Sequence, residues 1–439
     1  MAEPIRGVYK PRKPKETPLY RCLEDNYEEF KQVYDDRYEK THGYWRAVVE
    51  EAIFAYLDCG LPELGFALLE CAGCGRKLAL PFSCKTRIPC SSCSSKRRLL
   101  FSGRLMDEVL APVPHALWTF TVPKMLRPYF KFDRKLAGKM SLCAWESFST
   151  LIAETIPVED AMAGAVSGIH SAGKSLNAHP HVHLFAADGM TARDGTFLHM
   201  PVSAERGALC KSMAELFRHK VFKLLLVSEK ITPLIVEEML TWPHSGFNVH
   251  KGNTIEPHDK PALERALAYL LKPPFHMERM EYVQEQAKVL YRTGESGEHV
   301  RELSALDFLA ELSIHIPDKG KHLHRFYGFC SNAHRGAARK REQSEPVHEI
   351  RPVDESGLSS MEYRRSWAML IKKVFEADPL VCRFCTAELR IVGFVTDPYE
   401  VKKILTKIGL SEKQPRIRPP PSQPPPRDTV IAYDEPVLQ

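Results

Sequence analysis

The chain has 439 residues, 44% of them hydrophobic and 26% charged, with a net charge of +6. That is ordinary globular composition, long enough for two or three domains. No run of about 18 apolar residues is present, which argues against a transmembrane helix and removes a membrane from the expected partners. The polar start, MAEPIRGVYKPRKPKETP, lacks the apolar stretch of a secretory signal, so the expected compartment is the cytoplasm.

In chain order, residues 1–45 are polar and charged and read as an N-terminal arm with some helix. Residues 44–57 carry a helical pattern, and a cysteine cluster follows at 71–93, inside a segment expected to span 46–104. From 105 to 345 strand-like and helix-like stretches alternate. Residues 117–122 (LWTFTV), 164–170 and 181–187 are strand candidates, and Asp188-Gly189 is a turn signal. Residues 203–230 and 259–271 have helical periodicity, the latter stopped by Pro273-Pro274. A linker is expected at 342–359 and a helix at 361–375, then a CRFC pair, a strand at 389–395 and a helix at 399–408. These belong to a small C-terminal region, 346–410. The tail, 411–439, contains RPPPSQPPPR and is expected to be extended. There is no internal repeat.

Charge is unevenly distributed. Residues 71–104 hold eight Lys/Arg and no acid, and residues 319–341 hold seven Lys/Arg, three His and no acid. Such blocks suit an anionic partner, above all a phosphate backbone. Taken singly, each could equally be a solvated face.

Twelve cysteines without a secretory signal point to metal rather than disulfides. Cys71-Ala-Gly-Cys74 and Cys90-Ser-Ser-Cys93 are two CxxC pairs fifteen residues apart. Two such pairs complete a closed tetrahedral Zn²⁺ site. Cys84 is a spare thiol, so the four ligands could differ. Lys85, Arg87, Lys96, Arg97 and Arg98 surround the cluster and make it a candidate DNA-docking module. The Cys382/Cys385 pair supplies only two thiols. Either His348 or Cys330 completes a second zinc site, or the pair is a turn with two free thiols.

The segment LNAHPHVHLFAADG places His181 and His183 two apart in a strand, so both imidazoles face one side and can share a metal while Val182 points into the core. His179 would share that side unless Pro180 breaks the register. His170, on a strand candidate that could pair with this one, is the preferred third ligand. In LERALAYLLKPPF, Tyr269 and Lys272 lie three apart on one helix face. An isolated helical tyrosine is usually a packing residue. Beside a two-histidine metal site in a basic protein, its phenolate can attack phosphorus and form a covalent ester.

At these residues the chain resembles the HUH endonuclease superfamily. Within it, the chain is similar to the rolling-circle insertion-sequence transposases, including the insertion-sequence-common-region (ISCR) type. The likeness runs through FSCKTRIPCSSCSSKRR, LWTFTVPKMLR, LNAHPHVHLFAADG, GFNVHKG, LERALAYLLKPPF, HRFYGFCSNAHRGAARK and VFEADPLVCRFCTAELRIVGFVTDP. It implies an α+β fold with an antiparallel-sheet HUH nuclease core over residues 105–345, preceded by the zinc-binding domain. It implies Mg²⁺ or Mn²⁺ at the His181/His183 pair, and a 5′-phosphotyrosine formed by Tyr269 on single-stranded DNA at the element ends, later passed to target DNA. Lys272 would position the phosphate, and Lys124 and Arg127 would contact the strand being cut. Some members carry two tyrosines four residues apart, but here the earlier position is Arg265. One tyrosine must therefore be reused, or a homodimer must supply the second. Three rival readings stand beside this one. They are a rolling-circle replication initiator or relaxase, a metal-dependent hydrolase using Asp188 as a further ligand, and a non-catalytic zinc-ribbon DNA-binding regulator.

Overall fold

Thr17 and Pro18 start the first long helix. The Thr17 hydroxyl accepts from the Tyr20 amide at 3.4 Å, and Pro18 has no amide hydrogen to leave unsatisfied. The computed structural model describes residues 13–173, 175–201, 206–294, 297–337, 381–382 and 384–410. The expected linker, the helix at 361–375, the Pro-rich tail and His348 lie outside them.

Helix α1 (Pro18–Arg37) buries Leu19, Leu23, Tyr27, Phe30 and Tyr34 at three- and four-residue spacing. From Pro18 onward, the segment expected to be a polar arm is therefore core. Its other faces are almost wholly charged, which hides the stripe in composition. The stripe joins one hydrophobic cluster with residues between Phe275 and Ile316. Arg46 ties the same regions together, donating to the Ser313 and Ile316 carbonyls and pairing with Asp318 at 2.7 Å.

Helices α2 (Glu39–His42) and α3 (Ala47–Asp58) follow, then the hairpin β1 (Phe66–Cys71) and β2 (Lys77–Pro81), and α4 (Ser91–Arg104). The central region is β3 (His115–Thr121), α5 (Arg127–Phe132), α6 (Arg134–Thr155), β4 (Gly164–Ala172), β5 (Ala178–Ala187), the small hairpin β6 (Gly189–Thr191) and β7 (Phe197–His199), α7 (Arg206–Val227), α8 (Pro233–Leu240), β8 (Asn248–Ile255) and α9 (Lys260–Leu270). Then come β9 (Met280–Val283), β10 (Lys288–Thr293), β11 (His299–Ser304), α10 (Ala305–His315) and β12 (His324–Gly328). Strand β13 (Leu389–Val395) and a helix at Pro398–Lys407 end the described chain. Among the described residues no helix is long and apolar enough to cross a membrane.

The fold is α+β. Its main sheet has the order β12-β4-β5-β3-β8, with every neighbouring pair antiparallel. Strand alternation divides the side chains between two faces. Trp118, Phe120, Val182, Leu184 and Ala186 pack with Met140, Phe148, Phe217 and Val221 of α6 and α7. On the other face Val166 and Phe185 meet Leu263, Leu267 and Leu270 of α9. Helix α9 starts with Asp259 accepting from the Ala262 amide at 3.0 Å and with Pro261 in its first turn. The apolar stripe that seats α9 fixes where its last turn lies, and Tyr269 is in that turn.

Strand β13 pairs with β1 in a separate three-stranded sheet, β13-β1-β2. The chain's C-terminal region is thereby joined to the cysteine-rich hairpin near its start.

Candidate active site and metal centres

His181 and His183 project from the central strand β5 toward α9. His170, on β4, is the register partner of His181, and Thr119, on β3, is the register partner of His183. One ring nitrogen from each of His170, His181 and His183 lies within 4.8 Å of the others. Hydrogen bonds engage one nitrogen of each ring. His170 Nε2 donates to the Leu270 carbonyl at 2.9 Å, and His181 Nδ1 donates to the His179 carbonyl at 2.7 Å. His183 Nδ1 is 3.0 Å from the Thr119 hydroxyl, while its Nε2 is buried without a hydrogen-bond partner. A buried imidazole nitrogen without a hydrogen-bond partner, in a cluster of three such rings, is what a metal would satisfy. Burial holds the rings in the neutral, ligating form: it pushes His170 down to about 3, lowers His181 and takes His183 well below its ordinary value.

His179 is outside the cluster. Pro180 is accommodated within β5, but the β4–β5 register shifts between His170 and Ala172, and His179 lies within the shift. Its ring is 5.1 Å from that of His181.

Tyr269 is 47% exposed, with its ring centroid 5.0 Å from that of His183 and 6.5 Å from that of His170. The Lys272 ammonium lies 5.4 Å from the same ring, just past the helix end. Leu270 ties this turn to the sheet twice, through the His170 bond and through its close fit over Gly168. A Cβ at Gly168 would stand 2.6 Å from the Leu270 carbonyl oxygen.

The cluster opens into a groove of about 1410 Å³. Arg87, Arg97, Arg98, Arg134, Arg279, Lys321 and Arg325 line it with Lys272. Its lone acid among the described residues, Asp318, is paired with Arg46. The two basic blocks of the sequence meet here, where Arg87 donates to the Lys321 carbonyl at 2.9 Å. Of the expected DNA contacts, Arg87, Arg97 and Arg98 line the groove; Lys85, Lys96, Lys124 and Arg127 do not. Arg127 is near enough to His179 and His181 to add its charge to the effect of burial on both. Sequence reasoning missed Arg134, Arg279 and Thr119. The alternation Thr119/Thr121 against Trp118/Phe120 was the signal for the last.

Asp188 is not a ligand of this cluster. It lies seven residues from His181, about 23 Å along an extended strand. It pairs with Lys251 at 2.8 Å and accepts from the Thr254 hydroxyl at 2.5 Å.

The cysteines correct the expected zinc site. Cys71 and Cys74 do not join Cys90 and Cys93. The sulfurs of Cys59, Cys84, Cys90 and Cys93 form one cluster, and those of Cys71, Cys74, Cys382 and Cys385 form another. The hairpin explains the separation. β1 and β2 are about 17 Å long, and the two clusters sit at opposite ends of them. Gly60, next to Cys59, bonds the carbonyl of Phe82 at the far end from Cys71. In the first cluster Cys59 is 3.7 Å from both Cys90 and Cys93, and Cys84 is 3.5 Å from Cys93. Those separations fit four thiolates on one Zn²⁺, about 3.8 Å apart for Zn–S bonds of about 2.3 Å. Left to themselves the sulfurs share protons unequally. Contact with Cys84 holds the Cys59 thiol far below its ordinary value, and contact with Cys59 holds Cys90 far above. Cys330 is buried against Val166 and Phe185 and takes no part in either cluster.

A phenol, three neutral imidazoles and a cationic groove lie together, a set of groups suited to a phosphate backbone. Residues 164–338 match the family described as "Putative transposase", and residues 29–122 match the "Transposase zinc-binding domain" family. The transposase for insertion sequence element IS801 of Pseudomonas savastanoi pv. phaseolicola is 24% identical over 362 residues, spanning 78% of this chain and 83% of that protein. No solved structure matches. Two transposase families thus match successive parts of the chain, the zinc-binding one ahead of the other, and over most of its length the chain is similar to an insertion-sequence transposase.

Proposed function

We propose that this transposase cuts and rejoins single-stranded DNA through a 5′-phosphotyrosine on Tyr269. The observation that carries the reading is the half-exposed Tyr269 ring 5.0 Å from His183, lining an almost acid-free basic groove. The groove arginines bind the backbone and aim one phosphodiester at the phenol. The Tyr269 oxygen forms a bond to phosphorus as the bond to the 3′ oxygen of the upstream fragment breaks. That fragment leaves with a 3′-hydroxyl, and the downstream 5′-phosphate stays on the protein. Attack by a donor or target 3′-hydroxyl reverses the step and frees the tyrosine. Lys272 holds a non-bridging phosphate oxygen beside the phenol. His170, His181 and His183 would hold Mg²⁺ or Mn²⁺, whose charge supports that developing on the phosphate. Imidazole ligands suit Zn²⁺ equally, so the test compares metals. The compartment we assign is the cytoplasm, and a homodimer is one way to supply a second phenol.

Labelled single-stranded DNA bearing the element end, incubated with the protein and Mg²⁺ or Mn²⁺, should yield an adduct that survives denaturation. His183→Ala should lower its rate about 100-fold or more while leaving DNA retention in a filter assay nearly unchanged. Equal loss of retention and adduct would instead favour a purely binding role for the cluster.

Gly168→Val should weaken the same reaction from a distance. The added side chain drives into the Leu270 carbonyl and lifts the last turn of α9 from the sheet. The expected cost is about 1–3 kcal/mol of stability and roughly tenfold or more in adduct rate, since a displacement of about 1 Å can cost 100-fold. Chemical denaturation and single-turnover cleavage measure the two effects; a variant with normal cleavage sinks the positioning argument.

A further inference from the structure

The second cysteine cluster joins two parts of the chain 308 positions apart. Cys71 and Cys74 form a knuckle where β1 ends, and Cys382 and Cys385 form another just before β13. The two strands are antiparallel neighbours, with Cys71 opposite Leu389. Both knuckles are built alike. The Gly75 amide donates to the Cys71 carbonyl at 3.0 Å, and the Thr386 amide donates to the Cys382 carbonyl at 2.9 Å. The residue after each second cysteine is left-handed, Gly75 at φ 67° and Thr386 at φ 62°. A β-branched threonine takes that conformation only when its surroundings impose it.

The sulfurs converge across the strands. Cys71 and Cys385 are 3.3 Å apart and Cys74 and Cys382 are 3.8 Å apart, with all four within 4.8 Å. These are spacings of thiolates around one ion, where a disulfide needs about 2.05 Å. Gly73 is the sole member of the first knuckle without a side chain. A Cβ there would stand 2.7 Å from Ala387 and 3.4 Å from the Cys385 sulfur, so the knuckles fit face to face only with glycine in that place.

We infer that Cys71, Cys74, Cys382 and Cys385 bind a second structural Zn²⁺, which clasps the C-terminal region onto the zinc-binding domain. The apolar contacts that accompany the clasp are slight. Phe66 and Leu68 meet Val401 and Leu405, and Leu69 meets Leu389. A unit this small has too little core to hold itself together without a staple. Closing a loop of some 300 residues by metal restricts the unfolded chain strongly. It also keeps β13 over the edge of β1, which would otherwise present unpaired backbone groups.

The test uses full-length reduced protein loaded with Co²⁺. The thiolate-to-cobalt charge-transfer band reports tetrathiolate sites and ignores the imidazole cluster. Titration of the wild type should fill this band with two equivalents. The Cys382→Ser/Cys385→Ser variant should show half the intensity and should release the C-terminal region to limited trypsin at a dose that leaves the wild type intact. Saturation of the wild-type band at one equivalent overturns the inference, as does full intensity in the double variant. Should that variant not fold, the wild-type titration decides alone.

Discussion

Tyr269→Phe is expected to abolish the covalent protein–DNA adduct and to lower strand cleavage by at least about 10⁴-fold. The substitution removes one oxygen and keeps the ring, so contacts with His183 and Lys272 survive. The side chain is 47% exposed, so the missing hydroxyl should scarcely alter stability. DNA retention should also persist, because the groove's cations come from α4, α6 and the segments around Arg279 and Arg325. Other tyrosines are poorly placed to substitute. Tyr291 is 2% exposed and bonded to the His276 amide, Tyr327 is engaged with Ser141, and Tyr282 bonds Asp25 and Asn26. Arg265, one turn earlier on α9, offers no nucleophile. The measurement is adduct formation on a gel after denaturation, alongside circular dichroism and a DNA-retention assay. An adduct of undiminished yield in Tyr269→Phe would falsify the assignment of the nucleophile. Mixed protomers, wild type with Tyr269→Phe, then address stoichiometry: strand transfer at half the wild-type level or more means one phenol is reused within a protomer.

What the sequence disclosed about this site follows from how local each signal is. His181 and His183 were legible because alternation in a strand is a two-residue rule, and β5 obeys it from His181 to Ala187. His170 required one guess about pairing, and the β4–β5 register supplies it by setting His170 opposite His181. Tyr269 was not legible from spacing. Its nearness to His183 depends on how Leu263, Leu267 and Leu270 seat α9 on the sheet, and the family resemblance alone singled it out. Arg134 and Arg279 carry no local mark, since they converge from elements nearly 150 positions apart, whereas Arg325 lies in the basic block at 319–341. That the N-terminal helix is core was not legible, because its single apolar stripe is diluted by charged faces. The cysteines misled for the opposite reason. Two neighbouring CxxC pairs satisfy the familiar spacing, yet the rigid hairpin between them carries each pair to a different end.

Cys59→Ser tests that last point with a large expected effect on stability. Cys59 caps the end of α3, is 3% exposed, and lies in the same hydrophobic cluster as α1, α10, Cys90 and Cys93. Structural zinc contributes on the order of 10–16 kcal/mol in small domains, and removing one of four thiolates should cost this protein at least about 3 kcal/mol. The cost should also reach the active groove. Cys90 is the N-terminal boundary of α4, and that helix carries Arg97 and Arg98 to the groove wall. Loosening its first turn should weaken DNA retention and make its loss with salt shallower, because fewer phosphates are neutralised, without touching Tyr269. Thermal unfolding, zinc content and retention across a salt series check this, with Cys210→Ser as the control outside either cluster. The pattern across variants decides between the two ligand sets. If Cys71, Cys74, Cys90 and Cys93 shared one ion, Cys71→Ser and Cys93→Ser would behave alike and Cys59→Ser would be silent. With two clusters, Cys59→Ser must resemble Cys93→Ser, and Cys71→Ser must resemble Cys382→Ser.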